Sequence, residues 1–160
     1  IVDRLVGSEM CIRDSYKGVI LDHARHPRNR GNLEDPDFEA KAYNPLCGDE
    51  LVLHLRLKQD LIEDCRTLVR GCSICQASAS MMSEELMGKS MENAEALSGI
   101  FQKVLHQKDS EDSETLENLR PLMNLRAHKS RIKCVSLAWN ALDECVEKFH
   151  ETTEKTTTPS

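Results

Sequence analysis

With 160 residues, the chain is long enough for one domain and marginal for two. Hydrophobic residues make up 39% and charged residues 30%, an ordinary globular balance, but only 4% are aromatic, so the core must rest on Leu, Val, Ile, Met and Ala. Acidic residues outnumber basic ones 27 to 21, a net charge of −6 with no long basic run; this argues against nucleic-acid binding, and no apolar stretch approaches a membrane span or opens the chain as a signal segment would.

Residues 1–15 (IVDRLVGSEMCIRDS) resemble translated adaptor sequence and are set apart as a non-native or disordered segment. The domain is expected over 16–150. Tyr16–His26 has helical spacing, with Val19, Ile20 and Ala24 on one side and Pro27 as its stop. A loop rich in Pro, Gly, Asn and Asp follows. Phe38–Tyr43 alternates weakly, as an edge strand does. Glu50–Lys58 alternates strongly, with Leu51, Leu53, Leu55 and Leu57 to one face and His54, Arg56 and Lys58 to the polar one. Gln59 and Asp60 make a tight turn, and Leu61–Arg70 is the return strand of a hairpin.

After Gly71 the period changes. Ser73–Met87 is a helix rich in small residues, ended by Gly88. Ser90–Leu105 is a second helix, started by Ser90, with Met91, Ala94, Leu97, Ile100 or Phe101, and Val104 on its apolar stripe. The polar, acidic segment from His106 to Thr115 reads as a solvated loop. Leu116–Leu125 is expected as a short helix broken at Pro121. Lys133–His150 is the last helix, with Val135, Leu137, Ala138, Leu142, Val146 and Phe149 for the core, and 151–160 is expected as a disordered tail. This order predicts an α+β fold: a small three-stranded antiparallel sheet with helices packed on one face.

The seven Cys are the informative count. An odd number at uneven spacing suits thiol chemistry or metal binding better than a disulfide framework. Cys11 falls in the segment set apart. Cys47-Gly48-Asp49 lies between a Pro-containing turn and the strong strand. Residues two apart in an extended chain face one side, so Cys47 and Asp49 can offer a thiolate and a carboxylate to one point. Cys72 opens a helix, where backbone amides stabilise a thiolate, and Cys134 is placed at the start of the last helix. Three Cys and one Asp make a reasonable tetrahedral zinc shell, with one carboxylate letting it open more readily than a four-Cys site. Its formal charge of −2 would be offset by Arg131 and Lys133. On composition alone the alternative of buried structural Cys and a turn Asp stays open.

Cys75, three residues after Cys72, completes the spacing of a redox pair, but outside the βαβ context that gives a lone C-x-x-C its meaning. It is left as an alternate ligand or a resolving thiol. Cys65 and Cys145 are assigned to the core, since Cys145 lies about 16 Å along the helix from Cys134. The six His form no metal set; His23 and His26 are expected to be solvated or to cap.

Four ordered motifs, Asp22-His23-Ala24-Arg25-His26-Pro27-Arg28-Asn29-Arg30-Gly31, Asn44-Pro45-Leu46-Cys47-Gly48-Asp49, Gly71-Cys72-Ser73-Ile74 and Arg131-Ile132-Lys133-Cys134, resemble the NifU-like iron–sulfur assembly proteins from about Tyr16 to His150. The scaffold (IscU-like) branch carries His before its last Cys and a shorter segment leading to it. Here Lys133 stands there and Cys134 is 62 residues beyond Cys72, as in the SufU branch. That resemblance implies that Cys47, Asp49, Cys72 and Cys134 bind Zn2+. It also implies that Cys47 accepts persulfide sulfur from a SufS-like cysteine desulfurase of the SUF system, and that Arg131 assists ligand exchange. A zinc-dependent sulfurtransferase in the cytoplasm, passing sulfur toward apoprotein or scaffold acceptors, is the expectation. The alternative is a scaffold that builds a [2Fe–2S] cluster on the same ligands. Cys75 departs from the family, which usually has a small residue such as Ser there.

Overall fold

The computed structural model describes residues 18–45, 48–106, 118–123, 125 and 129–157, with side chains to residue 152. The segment 1–15, Cys47 and most of the acidic 106–115 loop fall outside the described residues. Helix α1 covers 18–25 and stops before Pro27. Three strands follow, β1 Phe38–Asn44, β2 Asp49–Lys58 and β3 Leu61–Arg70, in spatial order β1-β2-β3 and antiparallel throughout. Helices α2 Ser73–Leu86, α3 Met91–His106, the short α4 Arg120–Met123 and α5 Lys129–Thr157 complete the chain. The expected α+β fold is borne out.

The alternation of β2 decides which face is covered. Leu51, Leu53 and Leu55 are buried, and pair in register with Ala42, Ala40 and Phe38 of β1 and with Val69, Thr67 and Cys65 of β3. Gln59 and Asp60 both take positive φ (55° and 64°), the two-residue hairpin conformation that matches the right-handed twist of the strands. A bulge follows: Arg56 pairs with Asp64 and Leu57 with Ile62, so Glu63 is the extra residue. It lets Ile62 and Cys65, three apart, both face the core.

Helices α2 and α5 pack on that leucine face, and α3 packs on α5. Trp139 of α5 is the largest fully buried side chain, stacked on Phe101 of α3 at 4.4 Å. Its indole N–H donates to Ser78 Oγ at 3.3 Å, and Ser78 donates to Val135 O at 2.6 Å, so the small residues of α2 both admit and bind the neighbouring helix. Cys65 and Cys145 are fully buried, as expected; burial raises both thiols, Cys145 to about 12.

Several expectations need correction. Residues 151–157, expected as tail, continue α5; the helix propagates one bond per residue, and Thr152 Oγ1 donates to Lys148 O at 3.0 Å instead of leaving the helical path. Pro121 does not break a helix. It sits in the first turn of α4, where its missing N–H would have had no partner. Of the two residues left open for the stripe of α3, Phe101 is the buried one and Ile100 is exposed.

His23 is buried, not solvated or capping, because α1 docks on α2: His23 Nδ1 bonds Ser80 Oγ at 2.8 Å, and Arg28 N–H donates to the same hydroxyl. His54 does lie on the polar face of β2 but is buried there, accepting from Leu33 N–H at Nδ1 and meeting Glu39 at Nε2. The β3 edge is covered by loop residues 29–31, through Gly31 N–H to Thr67 O and Thr67 N–H to Asn29 O, and farther along by the α2–α3 connection.

Candidate metal centre

At the end of the sheet where β2 starts and β3 finishes, three donor side chains meet. Asp49, the first residue of β2, points to the leucine face and is 1% exposed. It stands opposite Asn44 in the β1 register. Gly48, just before it, has φ +72°, a conformation Gly adopts without steric cost, and its N–H donates to Asn44 O at 2.8 Å. Cys72 follows the last residues of β3 as the N-cap of α2, with extended backbone and its carbonyl accepting from Gln76 N–H. Cys134 is buried on α5.

The donors are tied together. Cys72 N–H donates to Asp49 Oδ1 at 3.1 Å, and the Cys134 thiol donates to Asp49 Oδ2 at 3.5 Å. Cys72 Sγ lies 4.0 Å from the same Oδ2 and accepts from Cys75 N–H at 3.5 Å. One donor atom from each of Asp49, Cys72 and Cys134 lies within 4.8 Å of the others. In a zinc shell with metal–sulfur bonds of about 2.3 Å the tetrahedral edges are roughly 3.8 Å, so these donors need only a small contraction. Burial, then the neighbouring Cys72 and Asp49, push the Cys134 thiol well above its ordinary range. A thiol held there against ionisation is one that a bound cation would help to ionise.

Of the residues singled out in the sequence, Asp49, Cys72 and Cys134 are brought together across as many as 85 positions of chain. Cys47 lies outside the described residues. Arg131 is exposed in the first turn of α5, three residues before Cys134, and Lys133 is exposed beside it. One expectation is corrected here: α5 begins at Lys129, so Cys134 sits in its second turn and not at its start.

The sequence reading missed the part played by Gly71. A Cβ there would lie 2.5 Å from Asp49 Oδ1 and 2.9 Å from its Cγ. The carboxylate therefore rests on bare backbone, next to the amide that binds it. The only signal in the sequence was a glycine directly before the helix-capping cysteine.

The profile of the NifU-like N terminal domain family matches residues 15–156. A Bacillus subtilis (strain 168) protein named zinc-dependent sulfurtransferase SufU is 40% identical over 133 residues, 83% of this chain and 90% of that one. The iron–sulfur cluster assembly scaffold protein IscU of Streptococcus pyogenes serotype M1 is 35% identical over 83% of each chain. Among solved structures, a Fervidobacterium islandicum AW-1 protein described as a cluster assembly scaffold for the SUF system superposes with TM-score 0.77 at 26% identity, covering 88% of this chain and 99% of that one.

Proposed function

The chain belongs to the NifU-like N-terminal domain family, and we propose that it serves iron–sulfur cluster assembly as a zinc-bound sulfur acceptor. Cys47, Asp49, Cys72 and Cys134 would hold Zn2+, and Cys47 would take persulfide sulfur from a cysteine desulfurase. The observation that carries this reading is the gathering of Asp49, Cys72 and Cys134 donors within 4.8 Å, with Cys47 two residues before Asp49 in sequence as the fourth donor. The 40% identical relative named a zinc-dependent sulfurtransferase supports the same choice of metal and chemistry. Lys133, in place of the His of the scaffold branch, supports it further.

Zinc, when bound, keeps its cysteine ligands ionised at neutral pH. The rest is done by the chain. The Cys47 thiolate attacks the outer sulfur of the desulfurase persulfide. A new S–S bond forms at Cys47, the S–S bond on the desulfurase breaks, and the desulfurase cysteine leaves as a thiolate. Asp49 stays seated on Gly71 and the Cys72 amide, so the carboxylate keeps its place while a neighbouring thiolate departs. Arg131, exposed beside Cys134, offers a guanidinium for the anion exposed in that exchange. Downstream, an apoprotein or a scaffold would receive the sulfur, in the cytoplasm.

Mass-spectrometric persulfide mapping after incubation with a cysteine desulfurase and cysteine tests this. The expected result is persulfide on Cys47 and none accepted by Cys47→Ala. A Cys47→Ala protein that takes sulfur at the wild-type rate would refute it. The second reading, a scaffold holding a [2Fe–2S] cluster on the same ligands, is favoured by the 35% identical relative named as a scaffold. Anaerobic reconstitution with iron and sulfide separates them: the sulfur acceptor yields no stable, transferable, visible-absorbing cluster, and the scaffold does.

A further inference from the structure

The metal reading leaves one thiol beside the centre unassigned. Cys75 is completely buried in the first turn of α2, three residues after Cys72, while Cys72 is half-buried at the cap. The cap geometry sets their separation. With Gln76 N–H bonded to Cys72 O at 3.1 Å, the turn from 72 to 76 is closed as a helical turn. Helix geometry then places Cα atoms three apart at about 5 Å, inside the roughly 4.4–6.8 Å window a disulfide requires. Cys72 Sγ is already folded back over this turn, since it accepts the Cys75 N–H at 3.5 Å. A bridge between the two would close within one turn of one helix.

We propose that Cys72 and Cys75 form a reversible redox site, a disulfide that withdraws Cys72 from the metal centre. This rests on the zinc reading only for its consequence; the bridge itself follows from the cap. Exposure assigns the order of events. A small-molecule disulfide reaches the half-buried Cys72 first, and the Cys72 thiolate displaces one thiol to give a mixed disulfide. The buried Cys75 then attacks Cys72 Sγ and expels the second thiol. Two protein thiols are oxidised and one disulfide is reduced to two thiols, so electrons and protons balance. With Cys72 bridged, Asp49 and Cys134 remain but the shell has lost a donor. Bound metal in turn keeps Cys72 occupied and slows the exchange.

The experiment treats the full chain, freed of metal by a chelator, with glutathione disulfide. The wild-type protein is expected to lose about 2 Da, with the bridge mapped to the Cys72–Cys75 peptide. Its zinc uptake should be abolished until dithiothreitol restores it, and prior zinc loading should slow bridge formation. Cys75→Ser should stop at a glutathione adduct on Cys72, and Cys75→Ala should do the same if the serine disturbs the buried position. A bridge from Cys72 to Cys134 or Cys47, or a glutathione adduct that persists on wild-type Cys72, would overturn the proposal, and this wild-type map decides even where a variant fails to fold. The two readings fail separately. A reduced protein that takes up no zinc yet forms the Cys72–Cys75 bridge removes the metal reading and keeps the redox site; zinc uptake without that bridge does the reverse.

Discussion

At the residue scale, Asp49 owes its position to an absent side chain. A Cβ on Gly71 would overlap Asp49 Oδ1 at 2.5 Å, and the carboxylate has little room to retreat, being 1% exposed and bonded to Cys72 N–H. Gly71→Ala should therefore move Asp49 off its seat. The overpacking should cost about 1–3 kcal/mol of stability. The larger effect should fall on the metal: zinc affinity drops by at least the roughly 10–100-fold that loss of an outer-shell support costs. Competition for zinc against a chromophoric chelator measures it, and wild-type affinity in a folded Gly71→Ala protein would show that the carboxylate is placed by something else. The donor types were legible from the sequence, because thiols next to turns and helix starts are chemically conspicuous. The glycine's role was not, because it depends on the hairpin register after the bulge, which pairs Glu50 with Arg70 and so sets Asp49 against residue 71.

At the scale of elements, α1 and the loop behind it are held on α2 by polar contacts as well as apolar ones. His23 bonds Ser80, Arg28 N–H bonds the same hydroxyl and Asn29 donates to Ser83 Oγ at 3.1 Å, while Arg28 ties the loop back to α1 through Asp22. Burial first, and then Arg28, lower the His23 proton affinity below the ordinary value of 6.5, with Glu84 and Asp22 opposing. The folded state thus binds fewer protons here than the unfolded chain. The stability this neutral imidazole supports is complete above pH 6.5 and is lost as pH falls from there through the folded value. His23→Gln, which keeps a side-chain hydrogen-bonding group without a titration, should flatten the stability profile between pH 7 and 5, at about 1 kcal/mol or less in the neutral range. Urea midpoints across that range check it; an unchanged slope in the variant would assign the pH dependence to other groups.

From β1 to α3, strand and helix limits were readable at this scale within a residue or two, because leucine recurs at every second position of β2 and Gly88 and Ser90 punctuate the helices; Asn93 N–H does bond Ser90 Oγ. The limits of α4 and α5 were not, since α5 starts four residues before and ends seven residues after the expected Lys133–His150. The burial of His23 and His54 was not, since each is covered by a segment remote in sequence: α2 for the first, the loop at Leu33 for the second.

For the whole molecule, the centre is where three separately built parts of the core converge. Asp49 comes from the sheet, Cys72 from the start of α2 and Cys134 from the second turn of α5. That convergence was an inference at the level of sequence because helix packing, not spacing, brings α5 back to the sheet. Trp139, absent from the stripe read off the last helix, is central to that packing through Phe101 and Ser78.

Such a site exists only in the folded chain, so a metal bound there stabilises the fold by mass action. Free zinc at 1,000 times its dissociation constant contributes about 4 kcal/mol, which for a domain of this size raises the melting temperature by about 10–15 °C. Cys134→Ala should lose most of that increment. The comparison is made between zinc-loaded and chelated samples of the same variant, so the packing cost of removing a buried thiol cancels. Calorimetric scans showing an equal zinc increment in Cys134→Ala and wild type would place the bound metal away from the junction of β2, α2 and α5.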